Sequence, residues 1–135
     1  MDEILLEAFR STAYHTCIDT VNWATVRVDL PLPGTLTNVV GMRSWAFITA
    51  WNPQARRRSP EENLAAQHAL LDALQRQPDA SVYPAIGVGT SGWIEPTLFA
   101  IGPDVTVLDR LAREHSQLAY VHGQTGSPAQ LRLLE

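Results

Sequence analysis

Glu95 is the one acid in a strand-like stretch, Trp93-Ile94-Glu95-Pro96-Thr97-Leu98-Phe99-Ala100-Ile101. At a period of two it shares a face with Trp93, Thr97, Phe99 and Ile101, so its carboxyl group has mostly apolar neighbours. Desolvation raises the pKa of such a group, which is how a general acid or base is made. The same placement suits a strand-end carboxylate that accepts bonds from a nearby loop. The sequence leaves both readings open.

A second constellation is built from carboxamides. Asn63, Gln67, Leu70 and Leu74 lie at i, i+4, i+7 and i+11, one stripe of a helix whose carboxyl half is apolar. Its amino half then points two amides towards Asn52, at the end of a strand. A buried amide without partners costs roughly 1–3 kcal/mol, so these groups must bond something. Either they tie the segment 52–59 to the helix start, or they face a pocket. Gln117 joins Glu95 or Asn52 if the strands at 44–51 and 118–121 are neighbours. Trp93 can wall such a pocket, because an indole offers apolar area and one donor.

Arg56-Arg57-Arg58 stands just before the same helix. Guanidinium groups beside a helix amino terminus can hold a phosphate or carboxylate, or they can simply be solvated. No glycine-rich phosphate loop accompanies them. His15, His68, His115 and His122 show no i, i+4 pair, and the single Cys17 cannot complete a zinc set, so neither a metal nor a cofactor is expected. Ser91, in Gly89-Thr90-Ser91-Gly92, lacks the hydrolase string Gly-x-Ser-x-Gly and reads as a turn residue.

The elements that carry these groups can be read in turn. Ile4, Leu5, Ala8, Phe9, Thr12 and Ala13 predict an amphipathic helix over 2–14. Val26, Val28 and Leu30 predict a half-buried strand, and Pro31-Leu32-Pro33-Gly34 opens a loop reaching Arg43. The stretch 44–51 is apolar on both faces, which predicts a central strand, and Asn52-Pro53 stops it. Ser59-Pro60-Glu61-Glu62 is a capping box with proline at the first helical position, starting a helix that ends before Pro78. A hairpin follows, with strands at 81–86 and 93–101 and a turn marked by Gly87, Gly89 and Gly92. Pro84 assigns the first of these to an edge or a bulge, and Pro96 bends the second. Gly102-Pro103-Asp104 opens another helix with Val107, Leu108, Leu111 and Ala112 towards the core. Short strands at 118–121 and 131–134 flank a turn at 123–128.

From 44 to 121 the order is β-α-β-β-α-β. This predicts an α+β fold with a ferredoxin-like two-layer core, extended by an amino-terminal helix and strand and a carboxy-terminal strand. With 135 residues and no linker, the chain reads as a single domain over 1–135. A net charge of −4 argues against general nucleic-acid binding. The acidic start Met1-Asp2-Glu3 lacks the marks of a secretory leader, and no run approaches the roughly 18 apolar residues of a membrane span. One thiol suits a reducing compartment. The expectation is a soluble cytoplasmic domain.

Several strings together resemble one bacterial family. They are Trp45-Ala46-Phe47-Ile48-Thr49-Ala50-Trp51-Asn52-Pro53, Ser59-Pro60-Glu61-Glu62-Asn63, Gly92-Trp93-Ile94-Glu95-Pro96 and Gln117-Leu118-Ala119. The family is a domain of unknown function, number 3293 in that series, and the resemblance runs from about Tyr14 to Val121. It implies a small bacterial protein and lends no activity, cofactor or catalytic residue.

Three functions follow as expectations. The first is a regulatory or binding domain for a small polar or anionic ligand. Its site would draw on Asn52, Asn63, Gln67, Trp93, Glu95 and Gln117, with Arg56, Arg57 and Arg58 beside it. The second is an enzyme with Glu95 as general acid or base. The third is a protein-interaction module using a sheet edge or the amino-terminal helix.

Overall fold

The computed structural model describes residues 1–134. In chain order the elements are α1 (Glu3–Arg10), β1 (Ala13–Cys17), β2 (Trp23–Arg27), α2 (Gly34–Val40), β3 (Trp45–Ile48), α3 (Pro60–Gln75), β4 (Ser81–Val88), β5 (Ile94–Ile101), α4 (Val105–Glu114), β6 (Ala119–Gly123) and β7 (Gln130–Leu133). A single 3-10 turn at Pro53–Ala55 links β3 to α3. The architecture is mixed α and β.

All seven strands form one antiparallel sheet in the order β2-β1-β4-β5-β3-β6-β7. All four residues of β3 are buried, and they alternate between two cores. Trp45 and Phe47 pack with Tyr14, Val26, Phe99, Ile101 and Val121 on one face, under Leu36 and Val40 of α2. Ala46 and Ile48 pack on the other face with Leu70 and Leu74 of α3 and Leu108, Leu111 and Ala112 of α4. Two covered faces explain why β3 is apolar at every position.

The helix starts follow their sequence signals. The Ser59 hydroxyl accepts the Glu62 N–H at 3.1 Å and donates to the Glu62 carboxylate at 2.9 Å. Asp104 caps α4 by accepting the Val107 N–H, and Asp2 caps α1 by accepting the Leu5 N–H.

Four sequence expectations are corrected. The helix expected over 2–14 ends at Arg10, because the Ser11 and Thr12 hydroxyls donate back to Glu7 O and Ala8 O and release the chain into β1. The strand expected through Leu30 stops at Arg27, where Asp29 turns at φ 71°. The loop expected up to Arg43 contains α2, held by the burial of Leu36 and Val40 one helical turn apart.

The fourth concerns Pro84, which lies in an interior strand with β1 on one side and β5 on the other. The β1 ladder reaches only Ala85, opposite Thr16. In an extended strand a residue's nitrogen and carbonyl point the same way. The Pro84 carbonyl accepts the Thr16 hydroxyl at 2.9 Å, so its nitrogen faces the place where that ladder has ended. No ladder bond is lost there.

Candidate functional site

α1 buries none of its residues fully, yet Leu5, Ala8 and Phe9 roof a cavity of about 260 Å³. Trp93, Gly89, Thr90 and Ser91 from the β4–β5 turn form one wall. Asn52 and Ala55 from the end of β3, with Gln117 and Leu118 before β6, form the opposite one. Glu95 of β5 also lines it, and among the described residues is the only titratable one that does.

Glu95 stands in one cross-strand row of the sheet. Tyr14 pairs with Gly87 and Gly87 pairs with Glu95, so all three face the same side. A Cβ at Gly87 would stand 3.5 Å from the Tyr14 ring and 3.6 Å from the Trp93 ring, and one at Gly89 would press on Trp93 at 3.2 Å. The two glycines thus leave room for both aromatic rings to close in around the carboxyl group. Glu95 is only 9 % exposed, and among the described residues no hydrogen bond or ion pair reaches it, burial alone acting on its carboxyl group. Burial pushes its pKa up to about 8. Burial, and secondarily the Glu95 charge, also hold the Tyr14 phenol above its usual range. At neutral pH Glu95 is therefore largely a carboxylic acid, able to donate as well as accept.

Beyond Ile48 the ladder of β3 gives way to side-chain bonds. Gln67 Oε1 accepts the Ala50 N–H at 2.8 Å, and Thr49 and Thr97 hydroxyls donate to Pro96 O and Ile48 O. Asn63 takes over next, accepting the Asn52 N–H through Oδ1 and donating through Nδ2 to Asn52 Oδ1. Arg58 Nε donates to Asn63 Oδ1, and Arg58 Nη2 donates to Ala50 O. These bonds hold a loop in which Asn52, Gln54 and Ala55 all have left-handed backbones, with φ of 45°, 58° and 58°. Non-glycine residues adopt that conformation at a cost of about 1–2 kcal/mol each. The loop stays so because its partners fix it.

The sequence-derived candidates thus divide. Asn52, Trp93, Glu95 and Gln117 line one cavity. Gln117 Nε2 donates to Trp51 O, which leaves its Oε1 as an acceptor. Asn63 and Gln67 belong to the helix that covers the other face of the sheet, and their amides bond the β3 extension. Arg58 braces the same loop, while Arg56 and Arg57 are exposed outside the cavity lining. The α1 roof, Thr90 and Tyr14 were not among the candidates. An amphipathic helix with only partly buried apolar residues was the available signal for the roof. Among the described residues, no three of His, Cys, Asp and Glu gather as a metal set, and no helix is long and apolar enough to cross a membrane.

The family model described as "Protein of unknown function (DUF3293)" matches residues 48–120. The chain belongs to the DUF3293 family. No curated protein and no solved structure matches it. The DUF3293 match runs from the last residue of β3 to β6. It includes Asn52, Asn63, Gln67, Trp93, Glu95 and Gln117, and leaves out α1 and β1.

Proposed function

We propose that this DUF3293 domain binds a small polar ligand in the cavity beneath α1. One observation carries the reading: Glu95 is nine-tenths buried, opens onto a cavity and has no partner of its own. Its oxygens are not sealed off, since among the described residues Trp45 Nε1 alone is a fully buried side-chain polar atom without a partner, so a ligand in the cavity can bond the carboxyl group directly. The volume of about 260 Å³ lies just under the roughly 300–1,000 Å³ of drug-sized pockets, so the ligand is small. No basic side chain lines the cavity, which favours a neutral or cationic ligand over an anionic one.

Inner strands in the order β4-β5-β3-β6 with α3 and α4 on one face support reading these elements as a ferredoxin-like core. The opposite face carries the other core under α2, and the Glu95 row that the cavity reaches lies on that face. The lone Cys17 fits a reducing compartment such as the cytoplasm.

Nuclear magnetic resonance with a fragment set of mixed charge tests the proposal. Fragments that bind should shift the amides of 89–93, 95 and 117 together. Shifts scattered over the surface, or none, would remove the ligand site.

An enzymatic reading draws on a different observation. A carboxyl group with a pKa of about 8 can exchange a proton near neutrality, and the Ser91 and Thr90 hydroxyls line the same cavity. Any turnover it supports should vanish in Glu95→Gln. An interaction module is favoured by Trp23, 67 % exposed on edge strand β2. Elution mass at two protein concentrations separates that reading from the others.

A further inference from the structure

We infer that the cavity beneath α1 takes a small organic ammonium ion, a primary amine in its protonated form, with Glu95 as its counter-charge. The inference deepens the ligand-binding reading above and rests on it. Four features of the cavity point to this class.

The first is charge. Glu95 is the only ionisable residue among the lining side chains, and no arginine, lysine or histidine there answers it. A carboxyl group enclosed with Leu5, Phe9 and Trp93 meets no counter-charge unless one arrives from outside. A buried carboxyl group without a partner stays protonated, and an arriving cation lets it ionise in place. The second is hydrogen-bond sense. An ammonium group brings three donors and no acceptor. The lining residues Glu95, Gln117, Thr90 and Ser91 all carry acceptor oxygens, and Gln117 spends its Nε2 on Trp51 O and His115 O, which leaves its Oε1 unspent.

The third is the Trp93 ring. It lies against Gly87 and Gly89, whose missing side chains let it approach the row that holds Glu95. A tryptophan face attracts a cation within about 6 Å of its centroid. The fourth is size. About 260 Å³ lies below the roughly 300–1,000 Å³ of drug-sized pockets, which suits a short alkyl or aryl chain bearing one amine. Leu5, Ala8, Phe9 and Leu118 would cover that chain.

Binding should then be linked to protons with a definite sign. The titratable groups that face the Glu95 carboxyl group are few: Tyr14 from β1, and none from α1, the loop 52–55, the β4–β5 turn or residues 117–118. An alkylammonium stays charged up to about pH 10. Raising the pH from 6.5 to 8.5 ionises Glu95 and should tighten an ammonium ligand, whereas an anion should weaken.

Three isosteric probes decide the matter: n-butylammonium, n-butanol and butyrate, titrated into the full chain while the amides of Gly89, Ser91 and Trp93 are followed. Butylammonium should bind with a Kd of about millimolar order, more tightly at pH 8.5 than at 6.5. Butanol should be weaker, and butyrate weakest. Glu95→Gln should lose butylammonium by about tenfold or more. Trp93→Leu, a second variant that keeps the carboxyl group, should weaken butylammonium and leave butanol unchanged. The amide spectrum of each variant reports directly that it is folded.

Butanol or butyrate matching butylammonium at these amides overturns the amine class and leaves a ligand cavity standing. So does undiminished butylammonium binding by Glu95→Gln. Silence from all three probes overturns the amine class, and the ligand site falls with it only if the wider fragment set is silent too.

Discussion

Asn63 Nδ2 donates to Asn52 Oδ1 at 2.8 Å while the Asn52 backbone N–H donates to Asn63 Oδ1 at 2.9 Å, so a helix residue and a loop residue close a ring of two opposed bonds. Asn63 is 2 % exposed, and Arg58 Nε adds a third bond to its oxygen. The ring fixes one wall of the cavity from outside it, because Asn52 faces the lining and Asn63 does not.

Asn63→Ala should therefore lower stability by about 1–3 kcal/mol, since it strands the Asn52 N–H and the Arg58 Nε–H together, Arg58 keeping only its bond to Ala50 O. Urea denaturation measures this. A loss within about 0.5 kcal/mol, the usual range for a neutral surface change, would show that the ring does not hold the loop.

Glu95 gives stability a falling limb. Its folded pKa of about 8 stands above the unfolded value of roughly 4.3, so the folded chain holds the extra proton between those limits. Stability should then decrease as pH rises from about 5 to 8, by at most about 1.4 kcal/mol per unit, and level off above. The difference between wild type and Glu95→Gln across that range isolates the effect. A constant difference would contradict it.

Asp109 should act in the opposite sense. Arg132 Nε and Nη2 each donate to it at 2.7 Å and Tyr120 Oη donates at 2.7 Å, tying β7 and β6 to α4. The Arg132 bonds, foremost, hold its pKa down to about 2, against the desolvation that would raise it. A depressed acid stabilises above its unfolded pKa of roughly 3.9 and ceases to do so as pH falls through about 2. Arg132→Ala should cost about 1–2 kcal/mol at neutral pH and flatten this acid limb in a pH-dependent melt.

Gly123→Ala should destabilise the core without touching the cavity. A Cβ there would stand 2.5 Å from Trp45 Cζ2, and Trp45 is fully buried. Overpacking of this kind costs about 1–3 kcal/mol. Thermal melting reads the loss, and an unchanged midpoint would mean that the indole can move.

The sequence carries these features unevenly. α3 is legible because its start needs only neighbouring residues, Ser59, Pro60 and Glu62. β3 is legible because two covered faces leave an unbroken apolar string. β1 is hidden, since Thr12 and Ala13 continue the helical spacing of α1 and no glycine or proline marks the break. α2 is hidden behind Pro33-Gly34, and its reason to form, the burial of Leu36 and Val40, is tertiary. Glu95 and Trp93 share the cavity through strand parity, which a reader can count. The sidedness of Asn63 is not countable, because Asn52 turns left-handed and ends the parity of β3 just where the two meet.

The roof of the cavity has a consequence for the order in which the molecule comes together. α1 buries no residue completely, whereas both cores close around β3 without it. The segment with the least to lose on detachment is thus the one that shuts the site. Amide exchange in α1 should run ahead of exchange in β3, and a visiting molecule can enter by the undocking of two helical turns while the sheet stays whole.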